Sequence, residues 1–122
     1  MTLTELVNRF LVNERPLGVV LDERVVMAQA IAATVYYDGY ASLASAPAAI
    51  DETTVLNNVE WAVIRPLFLL YVERETALYL EAAQVLGVTL FGRGSEAVQK
   101  AIAAAESDFR EQINIVKNIT AS

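Results

Sequence analysis

"WAVIRPLFLLYVERETALYLEAAQVLG", residues 61–87, is apolar for most of its length, yet it carries a proline at 66 and three consecutive charges at 73–75. Trp61, Ile64, Phe68, Tyr71, Val72, Leu78, Tyr79, Ala82 and Val85 recur along it at helical spacing. Asn57 and Glu60 stand three apart, the spacing of a capping box in which two side chains satisfy free backbone N–H groups. Gly87 supplies a residue suited to a left-handed helix end. Pro66 has two readings: it kinks one long helix by removing a backbone bond, or it opens a second helix at its first turn. The apolar phase continues across it, so the sequence predicts one kinked helix.

Working outward, Thr2 and Glu5 repeat the capping spacing ahead of Leu3, Leu6, Val7, Phe10 and Leu11, which form one helical face. Pro16 and Gly18 are placed to end that first helix. Asp22 is the N-cap of a second, with Glu23 at the positive end of its dipole. Positions 25–37 are almost all apolar or small, which predicts a helix buried on most faces, ended or frayed by Asp38-Gly39. A linker of small residues around Pro47 bears no charge before Asp51 and is expected to lie on a surface. "VTLFGRG" has the composition of a turn. Ser95 then caps a last helix with an apolar line of Val98, Ala101, Ile102, Ala105, Phe109, Gln112 and Ile113. Ile113, Ile115, Val116, Ile119 and Thr120 suit an extended segment better. The expectation is an all-α domain over 1–112, a small bundle of about four helices with one long central helix, and an extended C-terminal arm over 113–122.

Composition limits what such a domain does. Apolar residues make up 55% of the 122 positions and charged ones 20%, an apolar surplus and a charge deficit against ordinary globular chains. A domain of this size has little interior, so the surplus points to apolar surface that a partner covers; the alternative is that abundant Ala, which sits comfortably on helix surfaces, inflates the count. The net charge of −6 and nine scattered basic residues do not form the cationic patch needed to grip phosphates. Without Cys or His there are no disulfides, thiolate nucleophiles, common zinc sites or imidazole base, and no Glu-x-x-His for a di-iron centre. The N-terminus is not a signal peptide and no run of about 20 uncharged apolar residues occurs, so an intracellular chain outside the membrane is expected.

An enzyme would have to use carboxylates such as Glu60, Glu73, Glu75 and Glu81. Glu73 and Glu75 fall about 160° apart on a helix and cannot share a site. No catalytic, cofactor-binding or metal residue is therefore assigned. "FGRGSEA" lacks the spacing of a phosphate loop and reads as an interhelical turn. Glu73, Arg74 and Glu75 fan over about 200°, so at least one faces an apolar neighbourhood and needs a partner. That partner is either a neighbouring subunit, met by Arg74 or Arg65, or a group of the same chain. Trp61 and Arg65 are four apart and could stack.

Glu60-Trp61-Ala62, Ile64-Arg65-Pro66-Leu67-Phe68, Tyr71-Val72-Glu73-Arg74-Glu75, Leu86-Gly87-Val88 and the Gly-Arg-Gly-Ser before the last helix together resemble the head–tail connector (adaptor or head-completion) neck proteins of tailed bacteriophages. The resemblance covers roughly the C-terminal half. It implies a virion structural protein, made in the host cytoplasm, that forms a ring, typically of twelve, beneath the portal. Such a ring extends the DNA channel and docks the next neck or tail component. Trp61, Arg65, Glu73, Arg74 and Glu75 are then candidates for the subunit interface, and Ile113, Ile115, Val116 and Ile119 for a portal-docking arm. An acidic channel lining suits DNA of any sequence, because it repels phosphate. The alternative is a small cytoplasmic helical module that oligomerises or regulates one protein partner.

Overall fold

Thr2 begins the first helix as its spacing predicts: its hydroxyl accepts the Glu5 N–H at 3.2 Å, and the Glu5 carboxylate accepts the Thr2 N–H at 3.0 Å. The computed structural model describes residues 1–15, 21–84 and 94–121, with 83–84 and 112–121 as backbone only. Four α-helices follow in order: α1 (Leu3–Arg9), α2 (Glu23–Tyr40), α3 (Asn58–Gln84) and α4 (Ser95–Ala121). No strand forms among the described residues, so the chain is a small all-α bundle.

Leu3, Leu6, Val7 and Phe10 are buried, as the i, i+3, i+4, i+7 pattern requires. The sequence did not reveal that α1 widens into a π-helical turn over Phe10–Glu14. Pro16 and Gly18 lie outside the described residues. The Asp22 carboxylate caps α2 by accepting the Arg24 N–H at 2.7 Å. Asp38 and Gly39 do not end α2, which runs to Tyr40; the Asp38 carboxylate instead accepts the Leu43 N–H at 3.2 Å beyond the helix. The expectation that α2 is buried on most faces is corrected too: Val26, Ala30, Ala33 and Thr34 are buried, whereas Val35 is 50% exposed. Alanine fits a core or a surface equally, so a run of small residues does not locate the inner face.

The linker packs as expected. Leu43, Thr54 and Leu56 are buried, and Thr54 and Glu52 carbonyls accept the Leu3 and Thr4 N–H groups at 3.0 Å each. These bonds serve donors that a helix start otherwise leaves free. Asn57 and Glu60 then form the predicted capping box, with N–H to side-chain oxygen distances of 2.9 and 2.8 Å. From there α3 is one helix of 27 residues that passes through Pro66, so the proline does not open a second helix. Pro66 has no N–H, and the Ala62 carbonyl four residues earlier goes without its helical partner. Trp61, Ile64, Phe68, Tyr71 and Val72 are buried as predicted. Further along, the stripe is corrected: Ala77 and Leu80 are buried, while Leu78 and Tyr79 are 46% and 55% exposed. An apolar run does not tell Leu78 from Leu80; the helices packed there do. Val85 and Gly87 lie outside the described residues.

Contacts between α3 and α4 fix their antiparallel course, since Glu81 meets Ser95 and Tyr71 meets Glu106. Val98, Ile102 and Phe109 are buried, a narrow stripe along α4. The extended arm expected over 113–122 is the second main correction, because α4 continues as helix to Ala121. β-branched residues lower helix propensity by only a few tenths of a kcal/mol each, and extending a formed helix adds one backbone bond per residue. At the centre, Phe10 and Phe68 meet edge to face with centroids 5.2 Å apart and planes at 78°. Each fully buried phenyl contributes roughly 1.5–3 kcal/mol, and the pairing geometry about 1 kcal/mol more.

Candidate interaction surface

The residues proposed for a subunit interface occupy different settings. Trp61 is 7% exposed, with its ring centroid 5.4 Å from that of Phe68, so it belongs to the chain's own core. Arg65 turns to Glu14, which accepts from its Nη2 at 2.6 Å and its Nε at 3.1 Å. Arg9 Nε stands 3.3 Å from the other oxygen of the same carboxylate. Arg9 and Glu14 are five apart, and the π turn with its five-residue bonding brings them to one side. Arg74 lies over the Tyr71 ring, 5.0 Å from its centroid, and its Nε is 3.4 Å from the Glu75 carboxylate. Glu73 is half-buried and also engaged. Arg65, Arg74 and Glu75 thus find partners within one chain. Exposed pairs of this kind contribute only about 0–1 kcal/mol.

The N-terminus of α4 is closed by a carboxylate of the same molecule. Glu81 accepts the Ser95 N–H at 2.6 Å and the Ser95 hydroxyl at 2.7 Å. The Gly94 carbonyl accepts the Val98 N–H at 3.1 Å, so Gly94 takes the capping position and Ser95 stands one residue inside the helix. The Ser95 cap expected from the sequence is therefore displaced by one. A Cβ on Gly94 would meet Glu81 Oε1 at 3.3 Å, so the glycine lets the carboxylate approach. The two Ser95 bonds, the hydroxyl first, hold the Glu81 carboxyl below its usual value. An anion does sit at this helix end, and it is Glu81.

Where α2, α3 and α4 meet, the Tyr71 hydroxyl donates to the Glu106 carboxylate at 2.8 Å, and the Tyr36 hydroxyl to the Glu106 carbonyl at 3.3 Å. Burial and then the Glu106 bond push the Tyr71 phenol well above its ordinary value. Phe109 packs against Tyr36 and Tyr37, with centroids at 5.4 and 5.9 Å.

Next to Phe109 lies an open groove of about 420 Å³ between α3 and α4. Ala62, Val63, Pro66, Leu67, Ala105 and Phe109 make its apolar walls, and Asp108 is its single charge. On α3, one turn before Val63, Val59 is 73% exposed. Val59, Ala62, Val63 and Pro66 follow the i, i+3, i+4, i+7 rule, so α3 carries a second apolar stripe outside its core face. Residues 113–121, offered as a docking arm, are helical backbone here, and their side chains lie outside the description. Asp108 and Glu14 carry no local sequence signal, because each gains meaning only from residues far along the chain.

Among the described residues, no three His, Cys, Asp or Glu side chains gather as a metal site, and no helix is long and apolar enough to cross a membrane. No family model, curated protein or solved structure matches this chain.

Proposed function

We propose that this protein is a structural component of a tailed-phage virion, a head–tail connector that assembles as a ring under the portal, extends the DNA channel and docks the next neck or tail protein. The observation that carries the reading is the second apolar stripe of α3, Val59, Ala62, Val63 and Pro66, open to solvent beside a helix already buried on its core face. An apolar stripe outside a helix's core face is surface that a second chain can cover. The quoted resemblance over 60–95 supports the same reading, as does the acidic balance of −6, which suits a passage that must not hold DNA.

The test is to mix the purified chain with the portal protein encoded in the same genome, then to examine the product by light scattering and negative-stain microscopy. The expected outcome is a ring stacked on the portal. Deleting residues 113–122 should leave the chain folded and stop docking. A chain that remains monomeric and ignores the portal overturns the reading.

A second reading, a small helical module binding one protein partner, draws on a specific observation. Arg65, Arg74 and Glu75 are paired inside one molecule, so these three charges need no neighbouring subunit. Such a module would form a compact dimer or heterodimer and be indifferent to the deletion.

A further inference from the structure

We infer that copies of this chain join head to tail by inserting Val12, on the π turn after α1, and Arg15, the residue that follows the turn, into the α3–α4 groove of the next copy, where Arg15 meets Asp108. The inference rests on the ring reading above and names the contact that would build the ring.

Val12 is 73% exposed, a large apolar side chain standing clear of the core on a turn whose neighbour Phe10 is 2% exposed. Arg15, three residues on, is also exposed. The turn is firmly placed: Glu14, between them, is held by Arg9 and by Arg65 of α3. An exposed valine and a cation thus sit together on an anchored turn. The groove offers the complement, apolar walls with one carboxylate, Asp108. Among the described residues neither Arg15 nor Asp108 has an ion-pair partner.

The two surfaces face different ways in a single copy. Around the α3 axis, Arg65, which holds the π turn, is about 60–160° from the groove residues Ala62, Val63, Pro66 and Leu67, so turn and groove lie on different sides. Val12 cannot satisfy its own groove and remain 73% exposed. Because the projecting patch and the receiving patch differ, the contact is heterologous: each copy offers one of each, and repetition closes a ring or extends a filament. An isologous pairing of two acidic grooves would instead bring Asp108 towards Asp108. Size is adequate, since about 420 Å³ holds a valine side chain with an arginine stem beside it.

The chain has no cysteine, which makes a crosslinking test clean. The doubly substituted Val12→Cys, Val63→Cys protein is oxidised mildly, alone and with the portal protein, and run on a denaturing gel beside each single variant. A disulfide forms only when the two Cα atoms approach within about 7 Å. The expected result is a ladder of covalent multimers from the double variant, and no species above a dimer from either single one. Monomers or dimers only from the double variant overturn the contact. As a second measurement, Arg15→Asp and Asp108→Arg should each weaken assembly about tenfold or more, and together restore it; failure of the pair to recover also overturns it. Circular dichroism of each variant confirms the fold. Rings on the portal without a ladder would end this inference and leave the connector reading standing. A ladder without portal binding would do the reverse, and no assembly at all would end both.

Discussion

Glu60 ties the start of α3 to the linker that precedes it. It is 5% exposed, and its carboxylate accepts the Asn57 N–H and the Ala44 N–H at 2.9 Å each, so it caps α3 and pins the linker to it. The capping half of this was legible, because Asn57 and Glu60 are three apart and the bonding is local. The Ala44 bond spans sixteen residues and leaves no trace in the sequence. Replacing Glu60 with Ala removes the α3 cap and leaves the N–H groups of the exposed Ala44 and Asn57 to water. Glu60→Ala is therefore expected to lose about 1–2 kcal/mol in urea unfolding, and Glu60→Gln less, since an amide oxygen still accepts. A loss below about 0.5 kcal/mol in the alanine variant would remove Glu60 from this role. Trp61 next to it teaches the opposite lesson. A tryptophan in a candidate interface proved to be core, because aromatic rings suit both settings and only the position of Phe68 decides between them.

At the scale of the element, α3 is a single helix because its apolar phase and its cap act together across Pro66. Proline in a helix interior costs about 3 kcal/mol relative to alanine, and the burial of Trp61, Ile64, Leu67 and Phe68 on either side offsets that cost. Pro66 itself is exposed, so Pro66→Ala removes little packing and restores a donor to the Ala62 carbonyl. The expected outcome is a gain of about 1–3 kcal/mol in thermal or urea unfolding. Unchanged or lower stability would mean that the helix has reorganised around its proline. The same substitution removes part of the groove wall, so assembly should weaken while the monomer becomes more stable. The π turn after α1 shows why element ends escape the sequence. Its residues have no distinctive composition, and the Arg9–Glu14–Arg65 cluster that holds it joins positions up to 56 apart in the chain numbering.

For the whole molecule, acid sensitivity follows from carboxylates that hold backbone and hydroxyl groups. Glu5, Asp51 and Glu81 all have their carboxyls lowered by such bonds: Glu5 through Thr2, Asp51 through Thr53 and Glu81 through Ser95. A lowered folded-state value means that the unfolded chain takes up protons first. The stabilisation is therefore complete above the ordinary values of 4.5 for Glu and 3.8 for Asp, and is lost as pH falls through the lower folded-state values. Urea midpoints should be steady near neutrality and drop below about pH 4.5. Glu81→Gln should lie below the parent protein at pH 7 and converge with it as pH falls below the ordinary glutamate value of 4.5; parallel curves would show that the clasp on α4 contributes nothing.

Alone, the sequence pointed to a small all-α bundle and to where three of its helices start, and the apolar phase favoured one helix across Pro66 over two. These are local facts, set by capping spacing and periodicity. Tertiary packing alone decided that Leu80 is core and Leu78 is not, that Glu81 closes α4, and that Val63, Pro66, Phe109 and Asp108 share one groove. Each of these depends on which helices come together across dozens of residues. The free energy of such meetings lies in shape and burial, which a linear pattern of apolar and polar residues does not encode.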